Sequence, residues 1–339
     1  MKILIYSPLF YPSIGGLETV VSILAHKFVR QGHEVKLVSQ TPDPDSKPFP
    51  FEVIRQPSFK HLLALTAWCD VYFQPNISLK GFYPLVALPK PWVVSHNNWY
   101  SRTNGSLGWQ DRLKHRLLRW ATNISVSQAV ADHLAVSSTV IPNPYQYEVF
   151  GLRPEINRDH DLMFLGRLVS DKGADLLLDA LAQLKHQGLT PTLTLVGHGP
   201  EEANLKVQAQ RLQIVEQVEF LGGKVGEELV QLLNAHQILV VPSRWQEPFG
   251  IVALEGIACG CVVVGSEGGG LKDAIGPCGV TFKNGNVSEL SILLEKLLTQ
   301  PQELQRYHVH AKDHLIQHHP TTIAKQYLQV FEQAISGSC

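Results

Sequence analysis

Two glutamates, Glu247 and Glu255, bracket the segment Glu247-Pro248-Phe249-Gly250-Ile251-Val252-Ala253-Leu254-Glu255. An apolar run, Ile238 to Val241, and a polar stretch, Pro242 to Gln246, precede it, and the run from Ile251 to Cys259 has helical character. A helix beginning near Gly250 leaves its first backbone N–H groups without internal partners and carries partial positive charge at that end, which suits an anion or a sugar hydroxyl. One carboxylate then stands just ahead of the helix and the other about one and a half turns inside it, so both can face one cleft. Two acids beside open amides match a ligand rich in hydroxyls. The pattern also fits a plain structural role, with Glu247 favouring the helix N-terminus and Glu255 solvated on the helix surface.

Other residues have types and positions suited to chemistry. Arg167 follows the apolar run Leu162–Leu165, and Lys172 precedes a helical stretch. Arginine presents a planar fork to phosphate and lysine a mobile point charge. A merely solvated pair is disfavoured there, because cations at a helix start oppose its dipole. Gly15-Gly16 and Gly268-Gly269-Gly270 each lie between a strand and a helical segment. Missing Cβ atoms there let amides approach a phosphate, although each run also fits a tight turn. Gly197-His198-Gly199-Pro200 lacks the spacing of a dinucleotide fingerprint and is read as turn-shaping. His96 ends the run Trp92–Ser95 and is followed by Asn97, Asn98, Trp99 and Tyr100, a strand-end position beside aromatics able to stack on sugar rings.

Three further patterns are read as bland or open. Asp43-Pro44-Asp45 is turn chemistry and not a metal site. His310, His314 and His318 stand at i, i+4 and i+8, but no carboxylate or cysteine motif supports a metal, so a solvated helix face is expected. The segment Trp109 to Trp120 carries Arg112, Lys114, Arg116 and Arg119 among Leu and Trp. Such a stretch is either a peripheral membrane contact or a core-facing helix with a solvated outer side.

The elements that must position these residues alternate along the chain. Lys2–Tyr6, Glu34–Ser39, Val71–Phe73, Trp92–Ser95, Asn123–Val126 and Val140–Ile141 read as strands of one parallel sheet. Thr19–Gln31, Leu79–Leu88, Gln110–Ala121 and Ser127–Val136 are the helices between them. A second set has strands at Leu162–Leu165, Leu193–Val196, Val218–Leu221, Ile238–Val241 and Val262–Val264. Gly173–His186, Glu201–Leu212, Glu227–Asn234 and Ile251–Cys259 are its helices. Alternation of this kind implies helix-covered parallel sheets, an α/β chain. Pro142, Pro144, Pro154 and the polar stretch Arg153 to Asp161 mark a linker, giving domains over 1–150 and 151–320. The tail from Val287 to Ile335 is expected to be helical throughout.

Composition sets bounds. The 339 residues allow two domains with their own cores, and 44% hydrophobic with 17% charged residues is globular, not disordered. Net charge is −1, but residues 1–150 hold 14 basic against 9 acidic side chains, and the remainder 15 against 21. A mildly basic first half favours an anionic acceptor or membrane surface and is far too weak to imply nucleic acid. Cys69, Cys259, Cys261, Cys278 and Cys339 are odd in number and lack zinc-ligand spacing, so reduced thiols in a cytoplasmic protein are expected. No apolar run reaches the 18 residues of a membrane span.

The Glu247/Glu255 pair resembles the Glu-x7-Glu signature of retaining glycosyltransferases of family 4, the glycogen-synthase-like group. The resemblance extends over nearly the whole chain, in order. It begins at Tyr11-Pro-Ser-Ile-Gly15-Gly16-Leu-Glu18 and continues with Ser95-His96-Asn97, Ile141-Pro142-Asn143 and Phe164-Leu-Gly166-Arg167-Leu-Val-Ser-Asp-Lys172-Gly173. Val196-Gly197-His-Gly199-Pro200 follows, and Gly268-Gly269-Gly270-Leu271 is last. Gly256 departs from the pattern where a small alanine is usual, and no charged group is missing.

The resemblance implies a GT-B fold, two Rossmann-like domains whose parallel sheets face a central cleft. The first domain would take the acceptor and the second a nucleoside-diphosphate sugar, with residues 321–339 crossing back to the first. It further implies a retaining hexosyltransferase moving glucose from UDP-glucose, the commonest family donor, to a saccharide or lipid-linked acceptor in polysaccharide or glycoconjugate synthesis. His96 and Glu247 would meet the transferred sugar, with amides of Phe249, Gly250 and Ile251 completing its site. Glu255 would hold the ribose, the region of Gly222, Lys224 and Val225 the base, and Gly166, Arg167, Lys172, Gly15 and Gly16 the diphosphate. No metal or cofactor is expected, since Arg167 and Lys172 supply the charge. The location would be the cytoplasm or the inner membrane face. A nucleotide-sugar 2-epimerase and a non-catalytic nucleotide-sugar-binding protein remain as alternatives. A nicotinamide dehydrogenase is set aside because Ser7 to Gly16 lacks the Gly-x-Gly-x-x-Gly turn.

Overall fold

The computed structural model describes residues 1–13, 15–43, 47–100 and 108–337. The chain divides into two compact units, Met1–Pro144 with His318–Cys339, and Tyr145–Gln317.

In the first unit, β1 (Lys2–Tyr6), α1 (Gly16–Arg30), β2 (Glu34–Ser39), β3 (Glu52–Arg55), α2 (Phe59–Trp68), β4 (Val71–Pro75), α3 (Leu79–Ala87), β5 (Trp92–His96), α4 (Trp109–Leu117), β6 (Thr122–Ser125), α5 (Gln128–His133) and β7 (Thr139–Val140) follow in order. The strands form one sheet, β3-β2-β1-β4-β5-β6-β7, with every pairing parallel. The central strands β1, β4 and β5 are almost wholly buried and apolar, as sheets covered by helices on both faces require. β3 and α2 carry no strong period in the sequence and were not expected.

The second unit contains β8 (His160–Leu165), α6 (Ala174–His186), β9 (Leu193–Val196), α7 (Glu202–Arg211), β10 (Val218–Gly222), α8 (Gly226–Ala235), β11 (His236–Val241), α9 (Ile251–Ala258), β12 (Val262–Ser266), α10 (Leu271–Ile275), β13 (Gly279–Phe282), α11 (Val287–Thr299), α12 (Pro301–His308) and α13 (Ala311–Gln317). Its sheet has the order β10-β9-β8-β11-β12-β13, again all parallel. Leu177 and Leu181 of α6, Leu195, Val240 and Leu294 of α11 fill the core between helices and sheet.

The tail is not one continuous helix. The segment divides into α11, α12, α13 and α14 (Pro320–Ser336): Pro301 and Pro320 open α12 and α14, because proline suits a first turn and disrupts an interior, and a turn at Val309-His310 separates α12 from α13. α14 belongs to the first unit. Its Phe331 meets Phe28 of α1 at 5.5 Å and Phe73 of β4 at 5.3 Å between ring centroids, and Tyr327 meets Phe73 at 5.6 Å.

The histidine triplet does not form a solvated face. His314 and His318 are buried, and only His310 is exposed. His314 Nε2 lies 2.8 Å from the Ala274 carbonyl, and His318 Nδ1 lies 3.3 Å from that of Asn143. Helical spacing gave the wrong answer because His310 and His318 flank the two-turn α13 instead of lying on it. No group of three potential metal ligands occurs among the described residues. Cys69, Cys259, Cys261 and Cys278 are free and buried, with thiols pushed up to about 12 by burial, while Cys339 lies outside the described residues.

Candidate active site

In an open parallel sheet, ligands bind beyond the strand C-termini where the strand order reverses. In the second unit that point lies between β8 and β11. The loop after β8 carries Arg167 and Lys172, and the loop after β11 carries Ser243 to Glu247. Topology therefore brings together two loops separated by some 75 residues of sequence.

Their central contact is Lys172 Nζ to Glu247 Oε1 at 2.5 Å, with side-chain exposures of 27% and 12%. Ser243, fully buried, donates its hydroxyl to the same Oε1 at 2.8 Å. Glu247 Oε2 takes no hydrogen bond among the described residues. One oxygen is thus held by a cation and a hydroxyl while the other stays available as an acceptor. Arg167 is exposed and makes no ion pair with a described residue.

The frame around this pair is rigid for identifiable reasons. Amides of Arg244 and Trp245 donate to the Asp171 carbonyl at 2.8 and 3.2 Å. The Arg244 guanidinium grips Asp175 through two nitrogens, Nη2 standing 2.6 Å from Oδ2. Gly173 sits at φ +69°, and a Cβ there would strike the Pro242 carbonyl oxygen. On the other side, Gly269 forms a single parallel bridge with Glu247, and the Gly270 amide donates to the Glu247 carbonyl at 2.7 Å. Gly269 has φ +73°, and a Cβ on it would collide with that same carbonyl. Asn284 completes the clamp, accepting from the Gly268 amide at 2.8 Å and donating to the Ser243 carbonyl at 3.2 Å. The Gly268–Gly270 run thus fixes the backbone of Glu247.

Phe249 is buried, and Gly250 takes φ +99° as the residue before α9, whose N-terminus has no side-chain cap. Glu255 lies one turn into α9. Burial raises its carboxyl from the ordinary value to about 7, and no described residue pairs with it. Glu255 is half-buried, and a partly desolvated acid without a partner costs stability that a ligand's hydroxyls could offset. The rim near β10 is more open. Lys224 pairs with Glu228 at 3.5 Å, and Val225 is largely exposed. Gly222, at φ +68°, and Gly223 pack against the His198 ring, whose Nε2 accepts from the Gly223 amide at 2.8 Å. Gly166 donates its amide to Val196 at 3.0 Å, and Gly197 has no room for a Cβ against the Gly166 carbonyl.

In the first unit, Gly15 and Gly16 stand at the N-terminus of the fifteen-residue α1, which also lacks a side-chain cap. His96 ends β5 and is completely buried. Asn123 donates both amide hydrogens, to the carbonyls of Leu118 and Ala121 at 3.0 and 2.9 Å, so its Oδ1 is an acceptor. His96 Nε2–H therefore donates to Asn123 Oδ1 at 3.0 Å, and Nδ1 accepts from the Tyr100 hydroxyl at 2.8 Å. Burial lowers the ring to about 4, so it is neutral at pH 7. A hydroxyl contact by this ring requires one of these two bonds to be exchanged. Asp43 Oδ2 takes Arg55 at 3.2 Å, while Pro44 and Asp45 of the proposed turn lie outside the described residues, as do Ser101 to Leu107 of the segment after Tyr100.

Sequence reasoning missed Ser243, Arg244, Asp175, Asn284 and His198. All act by holding a neighbour, and such residues carry no spacing signal. Only the glycines they brace were visible.

The comparisons agree with this architecture. The model for glycosyl transferases group 1 matches residues 153–314, and that for glycosyltransferase family 4 matches residues 14–148. A glycogen synthase from Mycobacterium tuberculosis is 33% identical over 251 residues, covering 68% of this chain and 59% of that protein. A D-inositol 3-phosphate glycosyltransferase from Stackebrandtia nassauensis is 35% identical over 164 residues, 45% of this chain and 37% of its own. The chain thus spans less than two thirds of the length of these relatives. HepE of Anabaena, solved with UDP and glucose, shares 22% identity at a TM-score of 0.79 over 98% of this chain and all of its own. Sucrose-phosphate synthase of Thermosynechococcus elongatus shares 19% at 0.82, over 99% of each chain. The fold is GT-B. The chain belongs to the family 4, group 1 glycosyltransferases.

Proposed function

We propose that this chain is a retaining hexosyltransferase that moves glucose from UDP-glucose to a saccharide or lipid-linked acceptor, without a metal. The observation that carries the reading is the Lys172–Glu247 contact at the point of strand reversal, with Arg167 exposed on the same loop as Lys172. Breaking a sugar–diphosphate bond builds negative charge on the leaving group, and preorganised cations stabilise that charge without reorganisation. Arg167 and Lys172 take this role. Glu247 Oε2 accepts a donor-sugar hydroxyl, and the amides around Gly250 face the same sugar. Glu255 accepts the ribose hydroxyls, while the Gly222–Val225 rim holds the base. The first unit takes the acceptor. No carboxylate is assigned as a covalent nucleophile, so the acceptor attacks from the face the diphosphate leaves, and that diphosphate takes the acceptor proton.

UDP-glucose is favoured because HepE, similar over nearly its whole length, was solved with UDP and with UDP-glucose. The test is a screen of thermal stabilisation and donor hydrolysis across UDP-, GDP- and ADP-sugars, in EDTA and in manganese. Stabilisation by UDP-glucose, hydrolysis unchanged by EDTA and a retained anomeric centre support the reading. Loss of activity in EDTA with recovery in manganese, or an inverted product, overturns it.

A further inference from the structure

The outer surface of α4 and the 3-10 turn after it, Leu118–Trp120, carries an exposed patch of indoles and cations. Asp111 is half-buried, accepting from the Gly108 amide at 3.0 Å and pairing with Lys114 at 3.8 Å. Leu117 and Leu118 are buried. What remains exposed is Trp109, Gln110, Arg112, Leu113, Arg116, Arg119 and Trp120. The two tryptophans are 72% and 75% exposed and Leu113 38%. Trp109, Leu113 and Arg116 recur at helical spacing along α4, and Arg119 and Trp120 follow in the 3-10 turn Leu118–Trp120, so indoles, leucine and arginines form one exposed run. Not one acid lies on it. A solvated helix face mixes charges of both signs and does not leave two indoles in water, whereas indoles and arginines together suit the boundary between headgroups and acyl chains. Beside the stripe, a recess of about 470 Å³ brings Arg119 together with Thr122, Ser137, Ser138 and Thr139. Its hydroxyls and cation fit a phosphate-bearing headgroup.

We propose that this stripe seats the first unit on a bilayer rich in anionic phospholipid, with Trp109, Leu113 and Trp120 entering the interface and Arg112, Arg116 and Arg119 meeting phosphates. The inference is independent of the glycosyl-transfer reading, since it uses none of those residues. The test is sedimentation of the full chain with vesicles of phosphatidylcholine alone or mixed equally with phosphatidylglycerol. Binding is expected to the mixed vesicles at low salt, with collapse at 0.5 M salt. R112E/R116E/R119E should lower the partition at least a hundredfold, at roughly tenfold or less per charge removed. W109A/W120A should lower it about tenfold and abolish the blue shift of tryptophan emission. All five positions are exposed, so melting temperatures should match the wild type. Millimolar inorganic phosphate should not release the chain. Equal binding to neutral vesicles, unchanged binding of either variant, release by free phosphate, or a chain that stays in solution as a dimer overturns the proposal.

Discussion

Lys172 and Glu247, 75 residues apart in sequence, meet at 2.5 Å where the strand order of the second sheet reverses. The contact fixes a cation, which the proposed function sets against a leaving diphosphate, and leaves one carboxylate oxygen open. Removing the lysine takes away charge developed against in the transition state and frees Glu247 to repel the donor. Lys172→Ala is therefore expected to lower kcat for UDP-glucose turnover by roughly 10²–10³, with a smaller effect on KM. Initial rates of UDP release measure this, and near-normal turnover would remove Lys172 from the site.

Glu255 is held at a cost. Its carboxyl titrates near 7 when folded, against a lower ordinary value, so the folded protein binds the proton more tightly and loses stability as pH rises from about 4.5 to 7. Glu255→Gln removes the half-buried charge. The variant should melt several degrees higher at pH 8 and close to wild type at pH 5, a difference of about 2–3 kcal/mol. It should also bind UDP at least tenfold more weakly. Equal melting temperatures at both pH values would show that the acid is not buried as charge.

Two histidines act in the opposite sense. His96, and His236 held by the Leu232 carbonyl and Thr194 hydroxyl, are both lowered to about 4 by burial. Below an unfolded value near 6.5 the unfolded chain takes up protons that the folded one refuses, so stability falls as pH drops from 6.5 toward 4, by up to about 3 kcal/mol for each. Two such groups outweigh the single Glu255 term, so the melting temperature should climb between pH 5 and 6.5. His236→Gln should flatten that climb in calorimetry, and an unaltered slope would assign it to other groups.

Gly269 combines a left-handed backbone with a missing Cβ against the Glu247 carbonyl. Gly269→Ala is expected to cost about 1–3 kcal/mol of stability and to shift Glu247, lowering turnover more than the melting temperature alone would explain. Gly285, at φ +78° with open space around it, is the control: alanine there should cost stability with turnover intact.

The sequence made much of this legible. Continuous apolar runs at Lys2–Tyr6, Leu193–Val196 and Ile238–Val241 marked central parallel strands, because such strands are buried on both faces. It also showed the two glutamates, Arg167, Lys172 and the glycine runs, since glycine and charge are informative as residue types. β3, α2 and β13 escaped, being edge or satellite elements with weak periodicity.

The chain alone therefore determined which residues can carry charge, where the backbone must turn and that the sheets are parallel. Tertiary structure decided the rest. It paired Lys172 with Glu247 through strand order, buried His314 and His318 that spacing would leave in water, and tied Asp111 to the Gly108 amide and Lys114, leaving indole, leucine, glutamine and arginine as the exposed side chains of α4 and its following turn. The physical reason is that burial and partnership belong to how elements pack, and helical or strand periodicity reports only which side of an element a residue occupies.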